Sequence, residues 1–272
     1  MKKTTKKRRG AHLGQHLLTS TAIAKSVAEA GGAANKKNIL EIGPGKGILT
    51  KQLLDLGANV TAIEKDSGMV EVLQKMFEAE IKNGQLVLIE GDARTVLASS
   101  EFEIRAPYSV AANIPYYITG ELLKLFLSSN PKPEIIALLV QKEVAERIAR
   151  SKKESILSLS VKAYGDPKYV KTVKAGSFNP PPSVDSAILA ISNISSKNLK
   201  NAKEEGRFFK VIKAGFAQKR KTLLGNLSGF GKKEDLKEVF EKLKLPEMVR
   251  AEDVPLEKWF RLVHELNRKA GQ

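Results

Sequence analysis

The chain has 272 residues, 42% hydrophobic and 6% aromatic, enough for one large α/β core and a smaller companion domain. It contains no cysteine, which excludes a disulfide framework and thiolate metal ligands. Its formal charge of +16, from 46 basic and 30 acidic side chains, points to a phosphate polymer as partner.

The charge is unevenly spread. The first ten residues carry six basic side chains and no acidic one, residues 197–272 carry 19 and 11, and residues 11–196 carry 21 and 19. A nearly neutral middle is thus flanked by two basic ends. Three histidines (His12, His16 and His264), split between the two ends, do not suggest a metal centre, and none is expected. No apolar stretch approaches the length of a membrane span, and the basic start MKKTTKKRRG is followed by no apolar signal segment. We therefore expect a disordered basic arm at 1–10, no membrane partner and a cytoplasmic location.

From residue 20 apolar runs alternate with helical patterns. TAIAKSVAEAG (21–31) predicts a helix ending at glycine, NILEIG (38–43) a buried strand, and ILTKQLLDLG (48–57) a helix closed by Gly57. NVTAIE (59–64) is the next strand, followed by the helix SGMVEVLQKMFE (67–78) and the strand QLVLIEGD (85–92). The strand YSVAAN (108–113), a helix from about Gly120, the strand EIIALLVQ (134–141) and the helix KEVAERIAR (142–150) complete the alternation. Such alternation implies right-handed crossovers and a mostly parallel, doubly wound α/β sheet. The later segments SLSVKAYG (158–165), YVKTVKAG (169–176) and DSAILAIS (185–192) have no long helix between them and predict antiparallel strands added at one edge. The polar, lysine-rich stretch 192–206 reads as a linker, and only helical patterns follow it. The expected layout is a domain over 11–191, a linker over 192–206 and a small all-helical domain over 207–272.

The loop LEIGPGKG (40–47) places Gly43, Gly45 and Gly47 between a strand and a helix, where glycine permits a tight turn and close approach to a ligand. A dinucleotide fingerprint would need its third glycine at Ile48. The observed G-x-G-x-G resembles motif I of class I S-adenosylmethionine (SAM)-dependent methyltransferases. Glu64 ends the next strand, 21 residues after Gly43, where a carboxylate can accept from a ribose diol. Asp92 ends the third strand, placed to accept from an adenine amine, and Asn113 ends the fourth. In an open parallel sheet that edge is the binding crevice. Glu41, inside the glycine-loop strand, could orient the loop or meet a cofactor amino group, whereas Glu90 has no clear claim.

NIPYY (113–117) sets an amide, a proline and two aromatics at a strand end. An exocyclic adenine amine is a poor nucleophile because its lone pair is delocalised into the ring. It must rehybridise and aim that lone pair at the methyl carbon. The Asn113 side-chain carbonyl and a backbone carbonyl from Ile114 or Pro115 can accept its two protons, while Tyr116 stacks on an extruded base. Tyr117 is expected to serve packing.

N-[IL]-P-[YF] resembles motif IV of amino-group methyltransferases. With GQHLL (14–18), VQKEVAERI (140–148), FNPPPSVDSAI (178–188), FAQKRKTLLGNL (216–227) and RAEDVPLEKWFRL (250–262), the chain resembles the ribosomal RNA adenine N6,N6-dimethyltransferase family, in its bacterial small-subunit (16S rRNA) branch. The resemblance spans nearly the whole chain. It implies a Rossmann-like SAM-binding methyltransferase domain and a helical RNA-binding domain, with SAM as the methyl donor. The implied activity is dimethylation of two adjacent adenosines near the 3′ end of 16S rRNA, in immature 30S subunits, by a monomeric enzyme. It implies SAM contacts from His16, Leu18, Gly43, Gly45, Glu64, Asp92 and Asn113, and a catalytic corner of Asn113, Pro115 and Tyr116. It also implies that the target adenine stacks between Tyr116 and Phe178. His16 and Leu17 stand where Asn and Phe are commoner. Lys219, Arg220 and Lys221, being consecutive, cannot share one helix face, and we read them as phosphate contacts. The alternatives are a large-subunit rRNA adenine methyltransferase of the macrolide-resistance type and a binding-only ribosome assembly factor.

Overall fold

The computed structural model describes residues 16–34 and 37–270, so the arm expected at 1–10 lies outside them. Packing divides the described residues into two units: those up to Glu143 with Lys168–Ser192, and Val144–Pro167 with Asn193 onward. In chain order the elements are β1 (Leu17–Leu18), α1 (Thr21–Ala30), β2 (Asn38–Ile42), α2 (Ile48–Asp55), β3 (Asn59–Glu64), α3 (Ser67–Met76) and α4 (Glu78–Lys82). Next come β4 (Leu86–Glu90), α5 (Ala93–Ala98), β5 (Tyr108–Asn113), α6 (Thr119–Ser128), β6 (Ile136–Gln141), α7 (Lys142–Ala149), α8 (Ile156–Tyr164) and β7 (Asp166–Val173). The chain closes with β8 (Phe178–Asn179), β9 (Ser186–Ser192), α9 (Ala202–Gly215), α10 (Leu223–Asn226), α11 (Lys233–Lys242) and α12 (Leu256–Ala270).

The first unit is organised on a seven-stranded sheet of order β4-β3-β2-β5-β6-β9-β7. β2 pairs in parallel with β3 and β5, β3 with β4, and β5 with β6. β9 runs antiparallel to β6, so the sheet is doubly wound with an antiparallel addition at one edge, as the sequence pattern implies. Val110, Ala111 and Ala112 of β5 and Ile136–Val140 of β6 are fully buried, which is why these strands are continuous apolar runs rather than alternating ones. Helices start where short polar side chains cap them: Ser20 before α1, Asp66 before α3 and Asp92 before α5. Chain direction across the sheet reverses between β2 and β5, so the crevice at their carboxyl ends is the place for a ligand. A separate antiparallel ribbon pairs β1 with β8, Leu17 opposite Asn179 and Leu18 opposite Phe178.

The second unit is built from α8 to α12 with most of α7. Its largest fully buried side chain is Trp259, stacked on Phe216 at 5.7 Å between ring centroids, while Phe208 stacks on Phe260 at 5.0 Å. No helix of the described residues is long and apolar enough to cross a membrane.

Two sequence expectations need correction. Residues 158–165 alternate like a strand, yet Ile156–Tyr164 is the helix α8. Ser155 and Ser158 form a reciprocal capping box, and the Ser158 hydroxyl donates to the Glu154 carboxylate at 2.7 Å. These bonds start a helix that buries Leu159, Val161 and Ala163 in the helical unit. The second correction concerns the boundary drawn at 192–206. The Asn201 side chain accepts from Glu204 N at 2.9 Å and starts α9 at Ala202, inside that segment, and residues 144–167 pack with the helical unit as well.

Gly215 ends α9 against the buried indole: a Cβ there would lie 2.4 Å from Trp259 Cη2 and 2.9 Å from Leu223 Cδ1. Gly215→Ala is expected to destabilise the helical unit by about 1–3 kcal/mol in urea denaturation. Gly206 lies in the same helix with open space around it, so Gly206→Ala should be neutral or stabilising by about 0.5–1 kcal/mol. Equal responses at the two positions would contradict this packing.

Candidate active site

A cavity at the carboxyl end of the sheet is lined by His16, Leu18, Gly43, Gly45, Glu64, Asn113, Pro115 and Tyr116, eight residues singled out from sequence. Leu17, Glu41, Lys46, Met69 and Ile114 also line it. Gly43, Gly45 and Gly47 have φ of 66°, 55° and 75°, left-handed backbone that L side chains rarely adopt. The loop is drawn down onto Glu64. Glu64 Oε2 accepts from Gly45 N at 3.0 Å, while its Oε1 accepts from Lys65 N at 2.8 Å and Asp66 N at 2.9 Å. A carboxylate offers about four acceptor positions, so one remains on Oε2 for a ligand hydroxyl.

Asn113 closes β5. Its Nδ2 donates to the His16 carbonyl at 3.0 Å. A carbonyl only accepts, so the amide must face it with its NH2 group, and Oδ1 is left as a free-standing acceptor at the cavity. His16 is itself held: its Nδ1 lies 2.8 Å from the Pro180 carbonyl, which can only accept, so Nδ1 is the donor of that bond. That ring lies 5.9 Å from the Tyr116 ring, tilted by 30°. The Tyr116 hydroxyl meets Ser186 Oγ at 2.6 Å. Partial burial pushes the Tyr116 phenol up from its ordinary value, against the opposing Ser186 hydrogen bond, so the ring stays neutral.

Tyr117 departs from the expectation of packing: it is 68% exposed. Tyr116–Ile118 form a 3-10 turn, in which successive side chains point about 120° apart. With Tyr116 turned toward Ser186, Tyr117 projects outward.

Other expected residues lie elsewhere. β4 ends at Glu90, which is exposed, and Asp92 is the cap of α5 rather than a strand residue; it does not line the cavity. The Asp92 carboxylate accepts from Arg94 Nη2 at 2.7 Å, Arg94 Nε at 3.0 Å, Arg94 N at 3.0 Å and Lys65 Nζ at 3.0 Å. The Arg94 guanidinium foremost, with the Lys65 ammonium, holds its carboxyl well below the usual range despite partial burial. Phe178 is 4% exposed, within the apolar core beside Leu18 and Ile188, and does not line the cavity. Lys219, Arg220 and Lys221 are exposed in the turn between α9 and α10. Lys219 and Lys221 border a groove of the helical unit with Lys153 and Arg250. Asn226 Nδ2 ties that turn down through the Gly215 and Gln218 carbonyls, at 2.7 and 3.1 Å. Sequence reasoning missed Arg94, Lys65 and Met69, which nothing in their spacing marks, and gave no role to Ser186, although it lies in the FNPPPSVDSAI segment that carries the resemblance.

Glu41 is 1% exposed, and its Oε2 has no hydrogen-bond partner in the cavity wall. Burial pushes its carboxyl from 4.5 to about 8, and the Glu64 carboxylate adds to the effect. The unfolded chain ionises Glu41 near 4.5, so its burial carries no penalty below that pH; the penalty grows as pH rises and levels off above about 8. Glu41→Gln is therefore expected to become more stable than the parent as pH rises from 5 to 8, by on the order of a few kcal/mol in paired urea titrations. A pH-independent difference would contradict a neutral, buried Glu41.

The chain matches known proteins over most of its length. Residues 6–268 match the family model described as ribosomal RNA adenine dimethylase. The chain is 36% identical over 262 residues to the ribosomal RNA small subunit methyltransferase A of Dehalococcoides mccartyi strain 195, covering 94% of this chain and 87% of that protein. It is 35% identical over 257 residues to the protein of that name from Fusobacterium nucleatum, covering 92% and 94%. Among solved structures, a dimethyladenosine transferase from Plasmodium falciparum superposes with a TM-score of 0.79 at 28% identity, over 94% of this chain and 98% of that one. The 23S rRNA methyltransferase ErmE shares the fold, with a TM-score of 0.74 at 22% identity over 92% and 99%. With a match across both units at this level of identity, the chain belongs to the ribosomal RNA adenine dimethylase family.

Proposed function

We propose that this enzyme transfers methyl groups from SAM to N6 of two adjacent adenosines near the 3′ end of 16S rRNA, acting on the 30S subunit during its biogenesis. The observation that carries the reading is the Asn113 amide, locked by the His16 carbonyl so that Oδ1 stands as an acceptor beside Tyr116 and the glycine loop. The cavity residues fit SAM. One acceptor position is free on Glu64 for a ribose hydroxyl, and the unpartnered Glu41 Oε2 faces the space a cofactor ammonium would need. His16, Leu18, Gly43, Gly45 and Asn113 supply the remaining wall. Asp92 serves the cofactor adenine once Arg94 or Lys65 gives up a position. When bound, SAM supplies a methyl group already activated by the positive sulfur.

The chain's own residues then have to orient the amine. Asn113 Oδ1 and a backbone carbonyl of the Ile114–Pro115 turn accept its two protons, which turns the lone pair toward the methyl carbon. Tyr116 stacks on the extruded base. Phe178 completes the stack from the β1–β8 ribbon, a role that requires the ribbon to shift, since the ring is buried here. Lys219, Arg220 and Lys221 contact phosphates and position the RNA without reading its sequence. We place the enzyme in the cytoplasm as a monomer.

Asn113→Ala is expected to lower kcat for methyl transfer by about 100-fold or more, with fold and RNA affinity retained. Turnover near the parent's would remove Asn113 from the chemistry. RNA affinity should fall steeply between about 50 and 200 mM salt, by 10-fold or more, because basic residues at the chain ends displace counterions. A flat salt profile, measured by filter binding, would contradict that role.

A further inference from the structure

Ser186 is a buried polar side chain in an apolar setting. It is 0% exposed at the start of β9, its neighbours Ala187, Ile188 and Leu189 are fully buried, and its backbone is fixed opposite Gln141 of β6. A hydroxyl there is costly unless paired, and its partner is the hydroxyl of Tyr116, 2.6 Å away and 70 residues earlier. Ser186 does not line the cavity, so whatever it does for a ligand passes through that ring. The His16 ring adjoins Tyr116, and the Ser186 bond fixes the phenolic end. Without that bond the half-buried ring keeps its attachment at Cβ and its His16 neighbour but loses the contact that fixes the direction of its axis.

We propose that Ser186 is a positioning residue for the methyl-transfer reaction: by pinning the Tyr116 hydroxyl it fixes the direction of the ring axis and so the place of the face on which the target base stacks, and thereby the aim of the amine at Asn113 Oδ1. The inference rests on the reading of Tyr116 given above. A ring axis fixed at both ends makes the place of the stack reproducible, and a misplacement of about 1 Å costs on the order of 100-fold in rate. The serine contributes alignment and takes no part in proton transfer.

The test uses the full chain with Ser186→Ala, Tyr116→Phe, the double variant and Ser186→Thr. Steady-state methylation of undermethylated 30S particles gives kcat and KM. Calorimetry gives the SAM Kd, and an RNA carrying 2-aminopurine at the target position reports stacking by its fluorescence. Ser186→Ala and Tyr116→Phe are each expected to lower kcat by about 10-fold or more and to weaken the fluorescence quench, with the SAM Kd within about twofold of the parent. The double variant should be no worse than the worse single one, because both remove one bond, and Ser186→Thr should recover most of the rate. Parent-like kcat and quenching in Ser186→Ala, or losses that multiply in the double variant, overturn the proposal. Should Ser186→Ala misfold, Tyr116→Phe removes the same bond from the solvent side and decides alone. A parent enzyme that leaves adenosine unmodified, or an active Tyr116→Ala, would instead bring down the underlying reading of the site.

Discussion

The His16 carbonyl can accept a hydrogen bond and cannot donate one, and the orientation of the whole site follows from that asymmetry. It compels Asn113 to present its amide hydrogens to the backbone and to leave Oδ1 for a ligand. The carbonyl is in turn positioned by the short ribbon of β1 and β8. Thr19 N bonds the Ser177 carbonyl at 2.8 Å, and His16 Nδ1 bonds the Pro180 carbonyl on the other side. A segment near the start of the chain is thus stitched to one about 160 residues later, and both meet the end of β5. The sheet supplies the strand end, the ribbon supplies the acceptor, and the amide joins them.

Around this corner the electrostatics divide into two parts. At the glycine loop, Glu64 is consumed largely by backbone amides and acts first as a structural clamp, with one position left for a ligand. Glu41 beside it is buried and neutral near pH 7, so it becomes an anion most readily when a cation arrives. Asp92 is the reverse case. It is ionised and saturated by Arg94 and Lys65, so its acceptor capacity is stored in ion pairs that a competing donor must open. A glycine loop backed by acids at successive strands is common to many SAM enzymes. In the proposed mechanism the amide–proline–tyrosine turn is what narrows the acceptor to an amine.

Much of this was legible in sequence because it is local. Strand–helix alternation fixed the doubly wound sheet, Gly43, Gly45 and Gly47 require left-handed backbone within one loop, and Asn113-Ile-Pro-Tyr carries its chemistry in four residues. What escaped depends on partners distant in sequence or on a choice between periods. The helix α8 was hidden because Ser158–Tyr164 alternates over too few residues to separate period 2 from 3.6, and the deciding bonds come from Ser155 and Glu154. Phe178 was placed by its motif, but its burial is set by pairing with Leu18. Nothing local in sequence separates Tyr117 from Tyr116, whereas the 3-10 turn leaves only one of the two consecutive tyrosines facing the protein.

The two basic ends of the chain and the family to which it belongs are both consistent with an adenosine in ribosomal RNA as the substrate. The most direct test is transfer of label from tritiated SAM to undermethylated 30S and 50S particles in parallel, followed by mapping of the labelled nucleotides. The expected product is N6,N6-dimethyladenosine at two adjacent positions near the 3′ end of 16S rRNA, with no incorporation into 50S particles. Label confined to 23S rRNA, or label in neither particle, would contradict it.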